Sequence, residues 1–173
     1  MDLKATIRSI PDWPIKGVIF RDITTLMQDP DAFREACDRF VDRYKDMKVD
    51  KIVGIDARGF VFGAVLADRL GIGFIPVRKK GKLPCETIQE TYSLEYGEDT
   101  LEIHADAIGP GERVVIVDDL IDTGGTVGAT VRLVQKLEAE LLECAFIVEL
   151  PDLGGRKQIP GVKIFSLVEF EGE

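Results

Sequence analysis

From Asp31 onward the apolar residues Phe33, Ala36, Cys37, Phe40, Val41 and Tyr44 recur at three- and four-residue steps. This is the stripe of an amphipathic helix, and it predicts one running to about Lys48. KIVGID (51–56) is then a short, nearly unbroken apolar run of the kind a strand buried on both faces shows. A loop, ARG, leads into FVFGAVLADRL (60–70), again helical, and Gly71 is placed to stop that helix before a strand GFIPV (73–77). The same order returns in RVVIVDD (113–119), the loop LIDTGG, and TVGATVRLVQKLEA, whose Val127, Val131, Val134 and Leu137 share one face. ECAFIVEL (143–150) and KIFSLVEF (163–170) supply further strands. Residues 78–99 carry charge and turn residues, while ETYSLEY and DTLEIH alternate as a hairpin or mobile flap would. Strands alternating with helices predict an α/β fold with a mostly parallel central sheet flanked by helices. No repeat and no Pro/Ser-rich linker divides the 173 residues, so one domain is expected.

Composition narrows the function classes. No run approaches the roughly 18 apolar residues of a membrane span, and MDLKATIRSI lacks a basic start followed by an apolar stretch, so a cytoplasmic protein with no membrane partner is expected. Cys37, Cys85 and Cys144 are widely spaced and odd in number, which fits reduced thiols. His104 is the only histidine; that excludes a histidine-rich metal centre and leaves carboxylate-bound magnesium open. A formal net charge of -9 argues against nucleic acid, so a phosphate-bearing partner would need a local concentration of cations. Arg78, Lys79, Lys80 and Lys82 provide one, unless they are simply a solvated charge run.

The most informative segment is VVIVDDLIDTGGT (114–126): a buried strand ending in two carboxylates, then a loop of small residues at a helix start. Ligands of parallel sheets sit beyond the carboxyl ends of the strands, and the free N–H groups of the next helix favour a phosphate. Thr123, Gly124, Gly125 and Thr126 would supply those groups, with Asp118 and Asp119 one turn away as acceptors for sugar hydroxyls. The lysine of a P-loop and the GxGxxG pattern are both missing, so triphosphate and dinucleotide motifs are unsupported.

VVIVDDLIDTGGT resembles the phosphoribosyl pyrophosphate (PRPP) signature of type I phosphoribosyltransferases. PIKGVIFRDITTL (14–26), GIDARGFVFGA (54–64), VRKKGKLP (77–84), YSLEYG (92–97) and FIVEL (146–150) resemble, in order, segments of the adenine-specific members and span nearly the whole chain. The resemblance implies a type I phosphoribosyltransferase fold with a small amino-terminal hood (about 1–30) and a flexible catalytic flap (about 79–100). It implies purine salvage, in which adenine and PRPP give AMP and pyrophosphate, with magnesium held mainly by PRPP, in a homodimer. By the same resemblance Asp122, Thr123, Gly124, Gly125 and Thr126 hold the 5-phosphate, and Asp118 and Asp119 meet the ribose hydroxyls. Ala57, Arg58, Arg78 and Lys82 face the pyrophosphate; Ile19, Phe20, Arg21 and Leu150 form the adenine pocket; Glu95 and Tyr96 are catalytic. Asp122 stands where adenine-specific members often have alanine, as in members acting on 6-oxopurines. The lysine those members direct at the 6-oxo group has no counterpart near Leu150.

Overall fold

The computed structural model describes residues 1–172. An antiparallel pair, β1 (Arg8–Pro11) and β2 (Ile19–Asp22), opens the chain. Leu3, Ile7, Ile23 and Leu26 around it are buried in the main core, so this amino-terminal layer is anchored to the body. After the short α1 (Thr24–Gln28), Asp29 caps α2 (Pro30–Tyr44) by accepting hydrogen bonds from the amides of Asp31 at 3.0 Å and Ala32 at 3.3 Å. The expected stripe is its buried face: Ala36, Cys37, Phe40 and Tyr44. It ends four residues before Lys48 because the chain turns there, the Met47 amide donating to the Tyr44 carbonyl and the Asp50 amide to the Arg113 carbonyl.

The main sheet has seven strands in the order β5-β6-β4-β3-β7-β8-β9: β3 (Lys51–Ile55), β4 (Gly73–Lys79), β5 (Thr87–Ser93), β6 (Glu98–His104), β7 (Arg113–Ile121), β8 (Glu140–Glu149) and β9 (Ile164–Glu169). β4, β3, β7, β8 and β9 run parallel, and the β5–β6 hairpin joins the β4 edge antiparallel. α2 and α3 (Arg58–Leu70) cover one face, and α4 (Gly125–Lys136) packs on the other. Gly71 closes α3 with φ 71°, the left-handed geometry that suits glycine at a helix end.

Two boundaries differ from expectation and both shape the site. β7 continues through Leu120 and Ile121, which pair with Val148 and Glu149 of β8, so the loop begins only at Asp122. α3 starts at Arg58 rather than residue 60, leaving Asp56 and Ala57 as the whole connection from β3. That early start is allowed by Gly59: a side chain there would lie 2.8 Å from the Val117 carbonyl oxygen and 2.9 Å from Asp118 Oδ1. Helix and strand end therefore meet backbone to backbone.

Candidate active site

The carboxyl ends of β3 and β7 open into a cavity of about 270 Å³. Phe20, Arg21, Ala57, Arg58, Asp118, Asp119, Asp122, Gly124 and Thr126 all line it. Segments nearly 100 residues apart in sequence, 20–21 and 118–126, thus share one small space. Asp118 is buried in β7, three residues before its end, and its Oδ1 accepts the Asp119 amide at 2.8 Å. Burial, reinforced by the neighbouring charge of Asp119, raises the Asp118 carboxyl well above its usual range. Asp119 is turned to Arg58, whose Nε donates to Oδ2 at 2.6 Å. That partner in turn raises the guanidinium's affinity for its proton.

The loop after β7 forms an anion cradle. Gly124 adopts φ 87° before α4 begins at Gly125, and the first N–H groups of a helix have no carbonyl within it to bond. The macrodipole adds positive potential at the same place. Any side chain on Gly124 would sit 2.5 Å from the Gly155 carbonyl oxygen, and one on Gly155 would sit 2.5 Å from the Asp122 carbonyl oxygen. The loop is backed by a second stretch of backbone, which nothing in the motif itself announced.

Other expected residues lie at different distances from this centre. Arg78 reaches the rim, donating from Nε to Asp56 Oδ2 at 2.9 Å and from Nη1 to the Lys82 carbonyl at 3.3 Å, while the Lys82 side chain is exposed. Arg21 bonds Ser9 Oγ at 2.6 Å and lays its guanidinium 4.3 Å from the Phe170 ring centre. Phe20 meets Trp13 edge-on at 4.6 Å. Ile19 and Leu150 do not line the cavity; Leu150 is buried, its amide donating to the Ile121 carbonyl at 3.0 Å. Glu95 and Thr123 line a neighbouring cavity of about 810 Å³ together with Gly125 and Tyr92. Tyr96, at the hairpin tip, is 88% exposed.

Several residues joined to this centre were not singled out by sequence. Tyr92 accepts a hydrogen bond from Thr126 Oγ1 at 3.2 Å, and its ring crowds Gly125 to 2.9 Å of where a side chain would begin. Glu102 is buried and accepts the Gly81 amide and the Thr87 hydroxyl, each at 2.7 Å, which fixes the turn carrying Lys80 and Lys82. In the alternation of DTLEIH, Glu102 falls on the polar face between Leu101 and Ile103, so the sequence carried no signal for that role.

A family model described as the phosphoribosyl transferase domain matches residues 24–172. The adenine phosphoribosyltransferase of Desulfosudis oleivorans is 68% identical over 173 residues, covering 100% of both chains. The crystal structure of adenine phosphoribosyltransferase from Thermoanaerobacter pseudethanolicus superposes with a TM-score of 0.93 at 50% identity, covering 98% of each chain. That of the Trypanosoma brucei enzyme, in complex with AMP, pyrophosphate and ribose-5-phosphate, does so with a TM-score of 0.89 at 30% identity, covering 96% of this chain and 78% of that one. Likeness of this extent, running through both the sheet and the loop at the end of β7, means that the chain belongs to the phosphoribosyl transferase family, on the branch of the adenine phosphoribosyltransferases.

Proposed function

We propose that this chain transfers the 5-phosphoribosyl group of PRPP to adenine, giving AMP and pyrophosphate, and so salvages a purine. One observation carries this reading: the Asp118–Asp119 pair, with Asp122, Gly124 and Thr126 of the loop after β7, opens into a single small cavity that Phe20 also lines. The cradle would hold the 5-phosphate, the two carboxylates the ribose hydroxyls, and Phe20 with Arg21 the base. Ala57, Arg58, Arg78 and Lys82 would surround the pyrophosphate, where forked guanidinium donors suit phosphate oxygens.

Adenine N9 attacks ribose C1 as the bond from C1 to the pyrophosphate oxygen breaks, and the leaving group takes the electron pair. Positive charge develops on the sugar beside Asp118 and Asp119, whose negative field would stabilise it. The proton of the attacking base must leave, and Glu95, approaching N7 with Tyr96 closing behind it, is assigned to it. Glu95 lies across the Thr123–Gly125 turn from the carboxylate pair, so the tip at 93–97 has to swing over the loop for this step. Closure of the 79–100 flap would exclude water and protect PRPP from hydrolysis.

Magnesium belongs to the same reading. Among the described residues no three metal-ligating side chains gather, and Asp119 is already paired with Arg58. Such a donor set fits an ion carried on the substrate's own oxygens, with Asp118 and Asp119 reaching it through the ribose hydroxyls. When bound, that ion neutralises charge on the departing pyrophosphate.

A cytoplasmic homodimer completes the proposal; exposed Trp13 and Ile15, and a groove of about 630 Å³ along α2 and α3 lined by Met27, Phe33 and Val65, are apolar surface an assembly would cover. No described helix is long and apolar enough to cross a membrane. The deciding experiment offers adenine, hypoxanthine, guanine and uracil separately with PRPP and magnesium and follows nucleotide and pyrophosphate by chromatography. AMP from adenine alone is expected. Turnover of 6-oxopurines instead would overturn the base assignment, and PRPP binding without product would overturn the reaction.

A further inference from the structure

Glu149, the last residue of β8, is a carboxylate only 3% exposed, and it does not line the cavity at the end of β7. Its two oxygens are fully engaged. Oε2 accepts Arg156 Nε at 2.6 Å, while Oε1 accepts Arg156 Nη2 at 2.8 Å and the Ser166 hydroxyl at 2.7 Å. This forked pair joins the end of β8, and through Ser166 the middle of β9, to the short helical turn Gly155–Gln158. The residue beside Arg156 in that turn is Gly155, whose backbone lies against Asp122 and Gly124 so closely that neither glycine can carry a side chain. Gln158, from the same turn, comes within 3.0 Å of the place a Gly124 side chain would occupy. A buried charge is retained at the far end of a chain of contacts that ends on the anion cradle.

We propose that Glu149 and Arg156, with Ser166, are positioning residues for the 5-phosphate subsite: they hold Gly155 against the 122–124 backbone and so keep the cradle's N–H groups aimed before the ligand arrives. None of the three touches substrate. The inference rests on the proposed function, because it takes the 122–126 loop as a phosphate site. Preorganised donors bind without reordering, so releasing the backing segment weakens the phosphate it faces and leaves the opposite end of the site unaffected.

The test uses the whole chain and two probes, ribose 5-phosphate for the cradle and magnesium pyrophosphate for the leaving-group side, with binding read by calorimetry. Arg156→Met is expected to weaken ribose 5-phosphate by roughly tenfold and pyrophosphate by less than about twofold, the size of effect small misplacements produce. Its KM for PRPP rises with kcat at saturation within about twofold. Arg156→Lys, which keeps the charge and loses the fork, falls between the two and covers the case in which the methionine variant folds poorly. Equal weakening of both probes, or of neither, overturns the positioning role. Failure of the unaltered chain to bind ribose 5-phosphate overturns the functional reading, and the inference with it.

Discussion

Glu95 is an exposed acid that lines a cavity with Thr123 and Gly125, separate from the cavity that Asp118 lines. Under the proposed function it acts on the base alone, from the side of the loop away from the ribose and the pyrophosphate. Replacement Glu95→Gln is therefore expected to lower kcat by about 10²-fold, within the usual range for a general acid or base, with PRPP affinity unchanged. Steady-state kinetics paired with calorimetric titration of PRPP would separate the two, and a large loss of PRPP affinity would make Glu95 a binding residue instead. At this scale the sequence was informative where chemistry depends on adjacent residues: DD near the carboxyl end of a buried strand and TGGT at a helix start are their own context. It was uninformative for Asp56, Gly59 and Glu102, whose importance lies in partners 22, 58 and 21 residues away. No local pattern distinguishes a glycine that must meet Val117 from one that merely ends a turn.

The β5–β6 hairpin is an element held from outside itself. Glu90 on β5 receives Arg132 Nε at 3.2 Å and Lys136 Nζ at 2.8 Å, two cations one turn apart on α4. Those cations hold its carboxyl below the usual range, Lys136 most strongly among the lowering contacts. Arg132 also reaches the Thr91 carbonyl and Lys136 the Gln89 carbonyl, so the hairpin stem is latched while the tip beyond Tyr92 is not. Partly exposed pairs of this kind are worth about 0.2–1 kcal/mol. Glu90→Gln should accordingly raise amide hydrogen exchange along β5 by about 2–5-fold, with the melting temperature changed by no more than about 2 °C. Unchanged exchange would mean that the latch is incidental. The elements of the main sheet and its covering helices were legible because each depends on a local period: α2, α3 and α4 from their stripes, β3, β4, β7, β8 and β9 from short apolar runs, the hairpin from its alternation; β1, β2 and α1, only four or five residues each, were too short to show one. Their ends and neighbours were less so. β7 extends through Ile121 because β8 is beside it to pair with, and the hairpin lies on the β4 edge and against α4, facts of tertiary assembly that periodicity does not encode.

Across the molecule, the hydrogen-bonded carboxylates and the site pull stability in opposite directions with pH. Glu90, Asp99, Glu102 and Glu149 are held below the usual carboxylate range, the first two and Glu149 chiefly by hydrogen bonds from Lys136, Lys79 and Arg156, Glu102 by Thr87. At Asp22 burial works upward, but hydrogen bonds from Thr24 and Arg8 outweigh it and hold the carboxyl at about 2. Each of these groups stabilises the fold above its ordinary unfolded value, and that stabilisation is lost as pH falls through the folded value, so acid unfolds the chain. Asp118 has the reverse sign. Burial first, and the Asp119 charge second, raise it, so its ionised form is disfavoured in the folded state. It therefore subtracts stability at neutral pH, and the penalty fades as pH falls through the folded value toward about 4, where the unfolded group is protonated as well. Asp118→Asn keeps an oxygen to accept the Asp119 amide and removes the buried charge. It is expected to raise the melting temperature at pH 7 by a few degrees, about 2–4 °C per kcal/mol for a chain of this size. The gain should close by about pH 4, and the same variant should bind PRPP weakly, more so when Asp119→Asn is added. Thermal melts at pH 7, 5.5 and 4 with PRPP titrations check both halves. A variant less stable at pH 7 would show that the carboxylate is supported where it stands. A more stable, substrate-blind variant would show that the site's chemistry is retained against the interests of the fold.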